Sequence, residues 1–198
     1  SYPLQQPKAS RSFDFSSIQS PELIKVREST TELHIKVGER LFVFGKSKGT
    51  LDKVKIGMHV LTFSQIPGTE GLESGFKAVT WKKLKDGSIQ IQSSYSPWPA
   101  TLTWTIFSSG RLKMEAKGPV DFQTSSMLGL GFDLPTYELK TLNWNTKSIG
   151  QGIWNGYQED NETSKFLELQ GIEKVNLAFE SVGLAISSDT PVSYTHLT

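Results

Sequence analysis

Hydrophobic and polar positions alternate along this chain in short runs, beginning at about residue 22. "ELHIKV" (32–37) and "RLFVF" (40–44) flank Gly38, and "LDKVKI" (51–56) follows a turn at Lys48-Gly49. "FKAVTWKKL" (76–84) meets "SIQIQSSY" (88–95) across Asp86-Gly87, a pair that accepts the positive φ angles of a type I′ hairpin turn. "ATLTWTIF" (100–107) and "RLKMEAKG" (111–118) are joined by Ser108-Ser109-Gly110, and "VNLAFE" and "LAISSD" carry the alternation toward the end. A period of two sends successive side chains to opposite faces of a strand, and no ten-residue window sustains a 3.6-residue period. The runs are filled by β-branched and aromatic residues, which suit a pleated surface. The chain reads as all-β and antiparallel. So many strands bury their alternating faces better as two sheets packed face to face, or as a barrel, than as one flat sheet. The segment "SQIPGTEGLESG" (64–75) reads as a long loop, the kind of segment that often carries binding residues.

With 198 residues, 36% of them hydrophobic, the chain can bury one large core. Its 21 Lys and Arg against 20 Asp and Glu give no net field for nucleic acid or an anionic membrane, so neither is expected as a partner. The absence of Cys excludes disulfides, thiolate metal sites and thiol catalysis. No apolar run reaches the roughly 20 residues that a membrane-spanning helix needs. Residues 1–21, with Pro3, Pro7 and several Ser and Gln, read as a linker, which leaves residues 22–192 as the folded domain. The closing "SYTHLT" (193–198) reads as a non-native adapter tail.

Candidate chemistry is sparse. His34, between Leu33 and Ile35, reads as a solvated strand residue, and His59 as an ordinary strand position; His196 belongs to the closing tail. Glu159, Asp160 and Glu162 form an acidic group that suits a solvated loop or, as the alternative, a calcium ion. Adjacent carboxylates on one loop do not face each other across a substrate as a retaining glycosidase requires. No cofactor and no metal site are expected. Trp81 and Trp104 lie in alternating strands and are expected in the core. Trp98, held between Pro97 and Pro99, is open to either packing or ligand contact. Trp144 ends the run "LKTLNW", while Trp154, Asn155 and Tyr157 lie beside Gly152 and Gly156. Closing the end of a sandwich is the first role expected of these aromatics, and stacking on a sugar ring the second. The carbohydrate-binding candidates are therefore Trp154, Tyr157, Asn155, Trp98 and Trp144.

Three blocks in order carry a family resemblance: "RLFVFGKSKGTLDKVKIGMHVLTF", "IQIQSSYSPWPATLTWTIFSSGRLKMEAKG" and "MLGLGFDLPTYELKTLNWNTKSIGQGIWNGYQED". Over roughly residues 23 to 192 the chain resembles the last domain of β-galactosidases of glycoside hydrolase family 2. That resemblance implies an antiparallel two-sheet β-supersandwich of the galactose-mutarotase-like kind. It also implies an accessory role beside the catalytic barrel of a parent polypeptide, with a galactoside or a plant-type oligosaccharide as the carbohydrate partner. Gly150-Gln151-Gly152 matches the family's turn, but Ile153 stands where the family has Pro, and Glu159-Asp160 replaces its Asn-Arg or Asp-Arg pair. The family's catalytic carboxylates belong to the barrel, so no turnover is expected of this chain alone. Strands of the family that follow a segment like "SSDTPV" (187–192) have no counterpart here, which leads to an expected free sheet edge and edge-to-edge self-association. The rival expectations are a stand-alone mutarotase-type sugar epimerase and a purely structural domain.

Overall fold

The computed structural model describes residues 8–15, 21–69, 72–118, 128–133, 139–146, 150–155, 166–179 and 182–197. In chain order the strands are β1 (Lys8–Phe15), β2 (Ile24–Glu28), β3 (Glu32–Val37), β4 (Arg40–Gly45), β5 (Thr50–Ile56), β6 (His59–Thr62), β7 (Ser64–Thr69) and β8 (Leu72–Glu73). They continue with β9 (Gly75–Lys83), β10 (Ile89–Ser96), β11 (Thr101–Ile106), β12 (Leu112–Lys117) and β13 (Leu128–Asp133). The last are β14 (Leu139–Thr146), β15 (Gly150–Asn155), β16 (Phe166–Phe179) and β17 (Gly183–Leu197). No helix occurs among the described residues.

Every strand pairing is antiparallel. One sheet has the order β15-β14-β16-β17-β1-β12-β11-β10-β9, a second the simple meander β2-β3-β4-β5-β6, and a small third sheet the order β13-β7-β8. The two larger sheets bury their facing sides in one core, so the fold is the expected all-β, two-sheet sandwich. At its centre Trp104, fully buried as expected, meets Phe13 at 5.2 Å, Phe63 at 6.1 Å and Phe44 at 6.5 Å between ring centroids. These tilted and edge contacts are the arrangements that aromatic quadrupoles favour.

Turn chemistry fixes the register of the hairpins. At both the β9–β10 and β11–β12 connections three residues are enclosed, with glycine last. Gly87 (φ 87°) donates to the Leu84 carbonyl at 3.0 Å, and Leu84 donates to Ser88 at 2.8 Å. Gly110 (φ 82°) donates to Phe107 at 2.8 Å, and Phe107 to Arg111 at 3.0 Å. The turn at Asp86-Gly87 thus encloses three residues and places glycine in the left-handed position, where a two-residue type I′ turn was expected. Asp86 supports it by accepting from the Ser88 backbone N–H at 3.0 Å, and this bonding together with the Ser88 hydroxyl holds its carboxyl below the usual range.

Three expectations give way to the structure. Residues 8–15, read as part of a linker, form β1, which lies between β17 and β12 inside the nine-stranded sheet. Phe13 and Phe15 are buried there, and the Ser-rich surroundings masked their two-residue alternation. The 64–75 segment is not a free loop: it forms β7 and β8, and β7 pairs with β13. Trp81 sits at a core-side register position opposite Ile91, yet it is 37% exposed because β9 is the edge of the sheet. Its indole N–H donates to Glu28 at 3.0 Å, joining the two sheets at their rim. Residues 193–197 complete β17, with Tyr194 to Leu197 paired to β16.

Candidate functional site

The side of the nine-stranded sheet that faces away from the core has an unusual chemistry. Along β10, Gln90, Gln92 and Ser94 alternate with buried Ile89, Ile91 and Ser93. Along β11, Thr101, Thr103 and Thr105 alternate with Leu102, Trp104 and Ile106, and all three threonines are half-buried. The register lines these groups up: Gln92, Thr103 and Glu115 lie side by side across three strands, as do Gln90, Thr105 and Lys113. Ser12 of β1 follows Lys113 in the second row, and Ser187 of β17 follows Ser12. Further along the sheet, Asn143 is paired with Asn176, and Asn155 with Thr141. Hydroxyl and carboxamide residues thus make up the outward positions of β10 and β11, and the charged outward positions of β12 border them.

Such groups each donate and accept hydrogen bonds without charge, which suits a neutral polyol. The strongest acceptor on this side of the sheet is the carboxylate of Glu115, whose side chain is 21% exposed. Lys113 lies 3.0 Å from one of its oxygens and Lys117 lies 3.7 Å from the other. The three stand at alternate positions of β12, so the strand itself places the carboxylate between two ammonium groups.

Trp98 does not lie on this face. Trp98 is 4% exposed and its indole N–H has no hydrogen-bond partner among the described residues, so it packs in the core. Its backbone N–H donates to the Ser74 hydroxyl at 3.2 Å, and its carbonyl accepts from the same hydroxyl. Trp144 and Trp154 are placed by their backbones: Trp154 pairs with Leu142, which pairs with Leu177, and Trp144 pairs with Val175. Those register positions belong to the side on which Leu177 and Leu184 are buried. Six strands separate β15 from β10, so Trp154 and the β10–β11 connection holding Trp98 lie roughly 33 Å apart along the sheet. Tyr157, like Glu159, Asp160 and Glu162, lies outside the described residues. Trp98 and Trp154 thus stand at distant strands of the nine-stranded sheet.

No family model matches the chain, and no curated protein matches it. What the site can do is read from its own groups. A retaining glycosidase holds two carboxylates about 5 Å apart. The Glu115 carboxylate has ammonium groups on either side instead. His34 is bonded at 2.7 Å to Glu32, on the other sheet, and this contact holds the carboxyl of Glu32 below its usual range. An acid and a base in direct contact leave no room for a sugar ring between them. His59 is exposed at the start of β6, and His196 is paired through its backbone with Leu167. Among the described residues no three His, Asp or Glu side chains gather as a metal site. Nothing local in the sequence ties the polar positions of separate strands into one sheet face. Its signal was the uncharged half of the alternation in "IQIQS" and "TLTWT".

Proposed function

We propose that this chain is an accessory β-sandwich domain of a β-galactosidase-like glycoside hydrolase, binding neutral carbohydrate and lying beside the catalytic barrel of a parent polypeptide. The observation that carries the reading is the outward group of Gln90, Gln92, Thr103 and Thr105 on β10 and β11, beside the Glu115 carboxylate of β12. The family resemblance supplies the sugar class, a galactoside or plant-type oligosaccharide. Exposed hydrogen bonds exchange with water and leave little net affinity, so binding is weak, with a Kd on the order of millimolar, about −4 kcal/mol.

The test is a titration with galactose, lactose and neutral galactan oligosaccharides, followed by NMR shifts. Shifts centred on β10–β12, abolished in a Thr103→Val/Glu115→Gln variant that remains folded, are the expected result. No response to any of these sugars, or one untouched by the double substitution, would overturn the reading. Chromogenic galactosides should be hydrolysed no faster than in buffer.

A further inference from the structure

The balanced net charge conceals a strong local asymmetry. On the five-stranded sheet, the register puts Lys25, Lys36, Leu41, Lys55 and Val60 in one outward row. Arg27, His34, Val43, Lys53 and Thr62 form the next row. Lys25, Arg27, Lys36, Lys53 and Lys55 are all exposed, and none has an ion-pair partner among the described residues. Lys25 and Lys36 stand directly opposite one another, an arrangement of like charges that costs stability. The carboxylates of this side, Glu32 and Asp52, are at one end and already bonded, to His34 at 2.7 Å and to Thr50 at 2.6 Å. Five cations against two carboxylates leave an excess of three positive charges on a chain whose total is +1. Val43, at the centre of the face, is only 2% exposed although it lies outside the core cluster.

We infer that this face binds a carboxylate-bearing polysaccharide chain, laid across the strands between the two rows of cations. The rows are about 7 Å apart and run from β2 to β5, three strand spacings or roughly 14 Å. A linear polyanion in that position meets Lys25, Lys36 and Lys55 on one flank and Arg27 and Lys53 on the other. A protein partner fits less well, because interface centres are depleted in Lys and enriched in aromatics, and this face has four lysines and no aromatic. A single nucleic-acid strand fits less well, because the face has no aromatic ring on which bases could stack. The site is separate from the neutral-sugar face and uses none of its residues.

The test is calorimetric titration of the intact chain with polygalacturonate, its methyl-esterified form, neutral galactan, poly-glutamate, duplex DNA and anionic phosphatidylserine vesicles. Polygalacturonate is expected to bind, to weaken about tenfold or more between low and high salt, and to lose its hold on full esterification. A Lys36→Glu/Lys55→Glu variant should lose about tenfold or more, since both contacts become repulsive, while Lys36→Arg/Lys55→Arg retains binding. Lys83→Glu/Lys85→Glu, at the β9–β10 end of the other sheet, should bind as wild type does. Circular dichroism of each variant checks its fold, and Lys36→Gln/Lys55→Gln serves if the charge reversal fails to fold. Absence of polygalacturonate binding, or binding that survives loss of both lysines, overturns the inference. So does equal binding of poly-glutamate, DNA or vesicles with the same dependence on the two lysines. The galactan arm, which reads the other face, keeps a failure here distinct from a failure of the neutral-sugar reading.

Discussion

Tyr95 joins a titratable group to a buried position. It is 5% exposed, its ring meets Phe76 at 5.8 Å, and its hydroxyl donates to the Lys48 carbonyl, holding the β4–β5 turn against the other sheet. Burial penalises the phenolate and pushes the group up to about 12. An unfolded tyrosine ionises near 10, so above that pH the unfolded state releases a proton that the folded state retains. The stabilisation is therefore complete below about pH 10 and is lost as pH rises to about 12, a total of about 2–3 kcal/mol. In denaturant titrations at a series of alkaline pH values, Tyr95→Phe should be less stable than wild type at pH 8, where it lacks the Lys48 bond. The difference should shrink by pH 12. An alkaline loss identical in the two proteins would remove Tyr95 as its source. Arg40 shows the same dependence on surroundings in a cation. It is buried on β4 and donates to Phe15 at 2.8 Å and Ser109 at 3.3 Å, while burial lowers its pKa against the pull of Asp14. A Cβ on Gly110 would run into this guanidinium group, so that glycine is required by its φ and by its neighbour together. The sequence marks Gly110 as a turn residue, but nothing in "GERLFVF" marks Arg40 as the group that fills the space beside it.

At the scale of elements, one side chain ties β7 to β5. Beyond the β6 pairing, Leu51 of β5 has no ladder partner on that side, and Gln65 supplies one. Its carboxamide oxygen accepts from Leu51 N–H at 2.7 Å, and its nitrogen donates to the Leu51 carbonyl at 2.7 Å and to the Phe63 carbonyl at 3.0 Å. Gln65 is 3% exposed, so the amide stands in for a peptide group where water is excluded. Gln65→Leu leaves a buried N–H and carbonyls without partners and should cost about 2–4 kcal/mol in chemical denaturation, with faster amide exchange along β7. A loss below about 0.5 kcal/mol, within the range of ordinary surface changes, would show that β7 is held by other means. This device also marks the limit of reading elements from sequence. "ELHIKV", "SIQIQSSY" and "ATLTWTIF" announce themselves because alternation is a local signal, and they are β3, β10 and β11 in the fold. The "SQIPG" stretch contains Pro and Gly and reads as loop, because its partners are a side-chain amide and a distant strand. Trp81 fails for a related reason: its parity is that of the core, but only the sheet order tells that β9 is an edge. The neutral face was legible strand by strand, whereas its continuity came from the pairing of β10, β11 and β12.

For the whole molecule, what decides its associations is where the sheets end. The nine-stranded sheet ends in β9 on one side and β15 on the other. Edge strands offer unpaired backbone groups, and charged residues, especially lysines, discourage another strand from adding there. The β9 sequence "GFKAVTWKK" contains three lysines, and Lys77, Lys82 and Lys83 are exposed. By contrast "GQGIWN" of β15 contains no charged residue, and no strand lies beyond it among the described residues. The two ends of one sheet are thus unequally protected, although a net charge of +1 gives no hint of it. With so small a total charge, long-range repulsion between copies is weak and leaves short-range edge pairing to act. The chain is therefore expected to self-associate through β15, two copies pairing edge to edge about a two-fold axis as isologous contacts do. Sedimentation velocity over a series of concentrations should show the average mass rising with concentration. Ile153→Lys, which places a charge on the unprotected edge, should return the protein to a concentration-independent monomer. Thr80→Lys, on the edge that already carries lysines, should leave the association of wild type unchanged. A wild-type protein that sediments as a monomer at every concentration, or an Ile153→Lys variant that associates as strongly, would remove β15 as the point of contact.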